Sequence, residues 1–284
     1  MKTRFIGNFP SSAIGLGEMP LSIEGRPDRE QAIRTIHVAL DAGIRHIDTA
    51  YAYRLAGEEE AHGELLVGEA LRTWGGDRDA VLVATKAGHL RQDPAGGWQQ
   101  NGRPEHIKEV AQASAKALGV EAIGLFYYHR PDPNVPFAES VGALVNLLDD
   151  GVIVRAGVSN VNRQQIAEAS EILGGRLDAV QNQFSPAFLS SGTELELCAE
   201  LGIAFLPWSP LGGIGRAKTV AGAEAFQQVA AGRGVSPQQV VLAWELAKAP
   251  RVIPIPGARR PASVLDSISA VDLTLTPEEL AALP

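Results

Sequence analysis

Four polar residues of this chain stand where short apolar runs end, and their side chains suit acid–base chemistry. Asp48 closes the run that begins at Ile44, and Tyr53 follows five residues later. Lys86 and His129 close two later runs of the same kind. If these runs are parallel strands of an α/β barrel, their carboxyl ends converge on one face, and that face carries the active site. The four side chains would then meet and could protonate a carbonyl oxygen.

The residue types define a role for each of the four. A tyrosine is a weak acid, with a pKa of about 10 in water. An ammonium at Lys86 would stabilise the phenolate of Tyr53 and lower that pKa, and Asp48 would hold the ammonium charged and in place. His129 would donate a hydrogen bond to the substrate oxygen. Because none of these groups is a source of hydride, a reduction would need a cofactor.

Apolar runs alternate with amphipathic helical patterns along the sequence. Parallel neighbouring strands need a crossover connection, which a helix supplies, so this alternation predicts a parallel sheet. Eight repeats predict closure into a single-domain α/β fold, an (α/β)8 TIM barrel over residues 1–284, with a doubly wound sheet as the alternative. The predicted strands cover residues 13–17, 45–48, 81–86, 122–129, 153–159, 178–181, 204–207 and 252–254.

The segments outside the strands carry further predictions. Residues 3–9 are expected to form a small hairpin that caps the bottom of the barrel. The long loops 88–103 and 210–221 follow strands, so they should overhang the C-terminal face, where loops of this length are usually functional. The clearest helical patterns cover residues 28–40, the stretch that opens at Pro104 and residues 237–247.

Composition and charge narrow the possible partners. The chain of 284 residues has 45% hydrophobic and 20% charged residues, as expected of a globular protein. A net charge of −8 argues against nucleic acid or an anionic membrane as a partner. The single cysteine, Cys198, excludes an internal disulfide and a cysteine-based metal site. No apolar run approaches the roughly 20 residues of a membrane span, and no signal peptide is recognisable, so we expect a cytoplasmic protein.

Neither a metal site nor the common dinucleotide fingerprint is recognisable. The six histidines include no pair four residues apart, and we predict no metal. Gly15 and Gly17 follow a predicted strand, but Met19 and Pro20 stand where a third glycine and a helix start are required. Any nicotinamide cofactor must therefore be held by a different device.

Several segments resemble the aldo-keto reductases, and they follow the family's order over nearly the whole chain. Residues 43–53 resemble the family's first signature, and Lys86, His129 and residues 157–160, 208–212 and 255–259 match later family positions. The resemblance implies an (α/β)8 barrel and NAD(P)H-dependent reduction of a carbonyl group. It also identifies the four polar residues described first with the family's catalytic tetrad.

The resemblance further implies how a nicotinamide cofactor would be held. Ser159 and Asn160 match the pair that binds the nicotinamide carboxamide. Gln181 matches the glutamine that assists them, and Gln183, two residues on, is the competing choice. Trp208 matches the aromatic ring that stacks on the nicotinamide. The glycine-rich residues 209–215, which begin with Ser209, Pro210, Leu211 and Gly212, resemble the loop that crosses the pyrophosphate. The N–H groups of Gly212, Gly213 and Gly215 would approach the phosphate oxygens.

The last segment bears on the choice between NADPH and NADH. Gly257, Arg259 and Arg260 precede a short predicted helix, and the two guanidinium groups would pair with an adenosine 2′-phosphate. This favours NADPH over NADH. Ser267 stands where many relatives carry an asparagine that contacts the adenine.

The sequence also predicts residues of a substrate pocket and allows two alternatives to the reductase function. Trp98, His129 and Trp208 are predicted to line the pocket for a small-molecule carbonyl substrate, with His89 as a further candidate, and we expect a monomer or a weak oligomer. A nicotinamide-loaded regulatory or sensor subunit is the alternative function, with the same binding residues but little turnover. A barrel lyase or isomerase without a redox cofactor is a third, and the glycine-rich loop argues against it.

Overall fold

The protein is a parallel β-sheet that curls into a barrel and is surrounded by helices. The computed structural model describes residues 1–58, 60–92, 97–220 and 223–284. Its strands are β1 (Thr3–Ile6), β2 (Phe9–Ser12), β3 (Leu16–Gly17), β4 (His46–Asp48), β5 (Leu82–Ala87), β6 (His89–Arg91), β7 (Trp98–Gln100), β8 (Leu125–Tyr128), β9 (Ala156–Ser159), β10 (Leu177–Gln181) and β11 (Ala204–Phe205).

Helices cover the outside of the sheet. Within the described residues they are α1 (Arg29–Asp41), α2 (His62–Thr73), α3 (Pro104–Leu118), α4 (Phe137–Asp149), α5 (Arg163–Ile172), α6 (Gly192–Leu201), α7 (Ala217–Val220), α8 (Glu224–Arg233), α9 (Pro237–Leu246), α10 (Pro261–Ser269) and α11 (Pro277–Ala281). The main sheet has the order β3–β4–β5–β8–β9–β10–β11, with all neighbours parallel. The predicted (α/β)8 barrel is thereby confirmed.

The barrel closes through a segment that is not a regular strand. Val252 pairs in parallel with Phe205 on one side, and the N–H of Gly17 donates to Pro256 O at 3.1 Å on the other. Residues 252–257 therefore fill the eighth position. Pro254 and Pro256 have no N–H to donate, so a continuous ladder cannot form, and the predicted strand 252–254 is reduced to isolated bridges.

Other predicted strands are longer than the hydrogen-bonded ladders. The run 122–129 pairs as β8 only over Leu125–Tyr128, and Ile123 makes an isolated bridge with Ile153. Both isoleucines are buried. The apolar run therefore predicts which residues are buried, and the buried residues extend beyond those that pair in the hydrogen-bonded ladder.

The two-residue alternation of a strand brings the polar residues into the barrel. Leu82 and Ala84 of β5 pack in the barrel interior with Tyr127 of β8. One step further along the same alternation, Lys86 ends up on the interior side of β5 and His129 follows β8 on its interior side. Interior side chains thus change from apolar to polar at the C-terminal ends.

The bottom of the barrel is closed by the hairpin of β1 and β2. Ile6 is buried in the same interior cluster as Leu82. The guanidinium of Arg4 donates to the carbonyl oxygens of Ala249 at 2.7 Å and Leu246 at 2.6 Å. The hairpin extends to Ser12, beyond the predicted residue 9, and it does cap the barrel.

Local signals set the helix boundaries. The side chain of Asp28 accepts from the N–H of Gln31 and caps α1, while Pro104 and Pro237 occupy the first turns of α3 and α9. Cys198 is buried in α6. No helix within the described ranges is long and apolar enough to cross a membrane.

Both long loops lie partly outside the described residues. The predicted loop 88–103 includes residues 93–96, and the loop 210–221 includes residue 221, which the structure does not describe. The described part of the first loop forms the antiparallel pair of β6 and β7. The described part of the second contains α7.

Candidate active site

A buried ion pair forms the floor of the site. Lys86 Nζ lies 2.6 Å from Asp48 Oδ1 and also donates to Thr49 O at 2.7 Å. The other carboxylate oxygen of Asp48 accepts from Gln181 Nε2 at 2.7 Å. The Lys86 side chain is fully buried and that of Asp48 is 4% exposed. Because each charged atom has a partner, the pair is held in one geometry.

Tyr53 and His129 stand above this pair. Lys86 Nζ is 5.2 Å from the centroid of the Tyr53 ring. The Tyr53 and His129 rings meet edge to face, with centroids 6.0 Å apart and an interplanar angle of 80°. The structure therefore brings together all four residues that the sequence singled out.

The acidity of Tyr53 differs from the sequence-based expectation. Burial raises its pKa above the ordinary value, and the charge of Lys86 lowers the pKa but does not outweigh the burial. The expected net decrease is therefore wrong for the protein alone, because the phenolate loses its hydration in a buried position. Tyr53 keeps its proton at neutral pH, which is the form that an acid needs.

Of the two neighbours of Tyr53, Lys86 is positively charged and His129 is neutral. Burial alone would lower the pKa of Lys86, but the Asp48 carboxylate and the Tyr53 phenol together raise it, so the ammonium stays charged. Burial, followed by the charge of Lys86, holds the pKa of His129 well below its usual range. His129 is therefore a neutral imidazole. Its buried Nδ1 has no hydrogen-bond partner among the described residues.

Three polar residues at the ends of β9 and β10 lie next to the tetrad. Ser159 Oγ donates to Gln181 O at 2.7 Å, and Asn160 Nδ2 donates to His129 O at 2.9 Å. Asn160 adopts a left-handed backbone with φ +58°, a conformation that asparagine tolerates better than most residues. All three line the same cleft as Tyr53, whereas Gln183 does not. Gln181 is thus the glutamine that the geometry favours.

A cleft of about 1080 Å³ opens above these residues. Trp208, Ser209, Pro210 and Leu211 line it, as the resemblance implied. Gly212 does not line the cleft, and its N–H donates to Ser209 O at 2.8 Å to close a turn.

The next residues along this loop do face the cleft. They are Gly213, Ile214 and Gly215, and both glycines have positive φ, of 99° and 76°. Their N–H groups donate to no residue that the structure describes. These free donors, and not that of Gly212, form the part of the loop suited to an anion.

The far end of the cleft contains the two arginines. Arg259 donates to the carbonyl oxygens of Glu24 at 2.8 Å and Pro20 at 3.3 Å, so its guanidinium fastens the segment after β3. Arg260 is exposed and has no side-chain partner in the described part of the chain. A Cβ on Gly257 would lie 2.6 Å from Pro20 Cγ, so only glycine fits there. Both arginines line the cleft, and Arg260 is the one whose guanidinium has no protein partner among the described residues.

Aromatic side chains line the substrate end of the cleft. The rings of His89 and Trp98 stack with centroids 4.8 Å apart. The guanidinium of Arg91 lies over the Trp98 ring, 4.6 Å from its centroid. His89 also meets His129 edge to face at 5.0 Å. Trp98, His129 and Trp208 all line the cleft, as does His89.

Two residues of the site were not found from the sequence. Glu18 is fully buried directly after β3, where it accepts from Thr49 Oγ1 at 2.8 Å and from Ser22. Burial raises its pKa to about 7. Arg130, which follows His129, lines the cleft. The rule that polar residues at strand ends are candidates would have found both.

No group of three or more metal-ligating side chains occurs in the described ranges. The cleft instead offers what a dinucleotide needs: free backbone donors at residues 213–215, the N-terminus of α10 beside Arg260, and the polar group around Asn160. The donors fit a nicotinamide dinucleotide, with phosphates at one end and a carboxamide at the other.

Comparison with known proteins agrees with this geometry. A sequence profile of the aldo/keto reductase family matches residues 13–284. The 6-dehydroglucose reductase of Novosphingobium aromaticivorans is 32% identical over 92% of this chain and 86% of its own length.

Two solved structures are similar over nearly their whole length. The glycerol dehydrogenase from Gluconobacter oxydans has a TM-score of 0.84 and 28% identity, with 99% of this chain and 93% of that chain covered. An aldo/keto reductase from Klebsiella pneumoniae, in complex with NADP and acetate, has a TM-score of 0.82 and 25% identity, with the same coverage. From its barrel, its buried tetrad and its sequence, this chain belongs to the aldo/keto reductase family.

Proposed function

We propose that this oxidoreductase reduces an aldehyde or ketone to an alcohol with NADPH. The observation that carries the proposal is the meeting of the Lys86–Asp48 ion pair, Tyr53 and His129 at the floor of a cleft with dinucleotide-binding features. When bound, NADPH supplies the hydride that reaches the carbonyl carbon.

The chain's own residues act on the carbonyl oxygen. Tyr53 donates its phenolic proton to the oxygen as negative charge develops there. The Lys86 ammonium, kept charged by Asp48, stabilises the phenolate that remains. The neutral imidazole of His129 donates a hydrogen bond to the same oxygen and orients the carbonyl. The proton that the substrate receives therefore comes from Tyr53, and Lys86 stabilises the phenolate that remains after the transfer.

Further residues would hold the cofactor. Ser159, Asn160 and Gln181 would contact the nicotinamide carboxamide, and Trp208 would stack on the ring. The N–H groups of residues 213–215 would face the pyrophosphate, and Arg260 would pair with the 2′-phosphate. The Klebsiella pneumoniae relative that binds NADP supports this choice of dinucleotide.

A steady-state assay tests the proposal. The purified protein is given NADPH or NADH with a panel of small aldehydes and ketones, and loss of the reduced cofactor is followed together with alcohol formation. We expect turnover, with a higher kcat/KM for NADPH than for NADH. Tight NADPH binding with no turnover on any carbonyl compound would favour the regulatory subunit. Absence of nicotinamide binding would contradict both.

A further inference from the structure

Arg130 places a cation at the substrate end of the cleft. It directly follows His129, is half-buried, and lines the cleft together with Tyr53 and Trp98. Its Nη2 donates to Asn160 Oδ1 at 3.1 Å, and its other N–H groups have no acceptor among the described residues. No carboxylate of the described chain pairs with it.

The carboxylates that line this cleft are already engaged elsewhere. Asp48 is paired with Lys86, and Asp266, at the far end, accepts from Ser236 at 2.9 Å and Gln239 at 2.7 Å. A half-buried cation without a counter-ion is unfavourable, because burial removes hydration that nothing replaces. The substrate end of the cleft therefore lacks one negative charge.

The pKa values of the neighbouring histidines agree with an unpaired positive charge at Arg130. Burial and, after it, the charge of Arg130 lower the pKa of His89 to about 4. Burial, then Lys86, His89 and Arg130 lower that of His129. Both imidazoles are neutral for this reason. A bound anion at this end of the cleft would meet Arg130, which has no carboxylate partner in the described part of the chain, whereas Lys86 lies below the cleft and is paired with Asp48.

We propose that Arg130 is the counter-ion for a carboxylate carried by the substrate, so that the preferred substrates are carbonyl compounds with an acidic group. This rests on the reductase function proposed above. A guanidinium offers two parallel N–H groups to a carboxylate, which fixes orientation as well as charge. The flat wall of Trp98 stacked on His89 suits an aromatic ring between the acid and the aldehyde.

The test compares charged substrates with neutral ones of matched shape. The pairs are 3- and 4-carboxybenzaldehyde against their methyl esters, and succinic semialdehyde against its methyl ester. We expect the wild type to prefer the acid in at least one pair. In Arg130→Met, kcat/KM for that acid should fall by about tenfold to about a hundredfold while that for the ester changes little. Arg130→Lys should retain part of the preference, since it keeps the charge.

Two controls separate other roles of this side chain. Arg72→Met removes the same charge from an exposed position of α2 outside the cleft, and it should leave the preference unchanged. NADPH affinity is measured by fluorescence, because Arg130 also contacts Asn160. If Arg130→Met lowers kcat/KM for both members of a pair equally, or weakens NADPH binding to the same extent, Arg130 acts through Asn160 and the proposal is wrong. Preference of the wild type for every ester would also overturn it.

Failure of the reductase function gives a different pattern. If the wild type reduces neither member of any pair, binding of benzoate to the protein loaded with NADP⁺ is measured by calorimetry. Binding that Arg130→Met abolishes and Arg130→Lys retains would support the carboxylate site while contradicting carbonyl reduction. Binding that is the same in the wild type and Arg130→Met would overturn the site. Should Arg130→Met not fold, Arg130→Gln replaces it in both assays.

Discussion

Lys86 Nζ lies 2.6 Å from Asp48 Oδ1, with the Lys86 side chain fully buried and that of Asp48 4% exposed at the floor of the cleft. A buried ion pair adds little stability by itself, but loss of one partner leaves a charge without compensation. The charge of Lys86 also acts on Tyr53, so this pair affects both the stability of the fold and the turnover of the enzyme. The two effects can be measured separately.

Lys86→Met is expected to lower the free energy of unfolding by about 3–5 kcal/mol, because the Asp48 carboxylate stays buried with only Gln181 as its partner. The double variant Lys86→Met/Asp48→Asn removes that charge and should recover most of the stability. Both variants should lose about a hundredfold or more in kcat. Denaturant unfolding and steady-state kinetics measure the two effects. Recovery of activity together with stability would contradict the role given to Lys86.

The two arginines at the far end of the cleft should have different effects on cofactor binding. Arg260→Ala is expected to raise KM for NADPH by about fivefold or more and to leave KM for NADH unchanged, since only NADPH has the 2′-phosphate. Arg259→Ala frees the carbonyl oxygens of Pro20 and Glu24 and should affect both cofactors. Equal effects of Arg260→Ala on the two cofactors would show that it does not read the phosphate.

Barrel closure depends on the close approach of Gly17 to the last segment. A Cβ at this position would lie 2.7 Å from Ile255 O, a backbone atom that cannot move alone. Gly17→Ala should therefore destabilise the protein by about 1–3 kcal/mol. Gly142→Ala in α4, where a Cβ meets nothing within 4 Å, should instead stabilise it by about 0.5–1 kcal/mol. Thermal unfolding of both variants provides the comparison, and a Gly17→Ala protein as stable as the wild type would contradict the packing argument.

Glu245 predicts a dependence of stability on pH. It is fully buried in α9, both carboxyl oxygens lack a partner among the described residues, and burial raises its pKa well above the usual range. The unfolded chain releases this proton above a pH of about 4.3, whereas the folded protein keeps it. Stability therefore falls as the pH rises from that value towards the folded pKa.

Glu245→Gln should remove this loss, which is up to about 1.4 kcal/mol per pH unit within the window. Glu171→Gln, at an exposed position of α5, is the matched control and should follow the wild type. The test is to measure the free energy of unfolding of the three proteins from a pH of about 4.3 upwards. Parallel pH curves for the wild type and Glu245→Gln would show that the carboxyl is not held neutral.

The sequence was sufficient for the parts of the site that depend on strand alternation. Asp48, Lys86 and His129 end apolar runs, and a period of two is enough to place them on the interior side. Properties that depend on packing were not accessible. The net pKa of Tyr53 depends on how completely the folded chain buries it, and the engagement of Arg259 depends on carbonyl groups more than 200 residues away in the chain.

The last barrel segment illustrates a second limit. Its apolar residues correctly predict burial at the eighth position, but Pro254 and Pro256 decide which hydrogen bonds can form. Likewise, a glycine-rich pattern could not distinguish Gly212, whose N–H closes a turn, from Gly213 and Gly215, which face the cleft.

The proton donor is the centre of this account, and Tyr53→Phe tests it most directly. Single-turnover reduction and NADPH affinity are measured for this variant and for Tyr51→Phe, which removes a phenol outside the cleft. We expect Tyr53→Phe to bind NADPH as the wild type does and to reduce the substrate about a hundredfold or more slowly, with Tyr51→Phe unchanged. A Tyr53→Phe protein that reduces the substrate at the wild-type rate would contradict it.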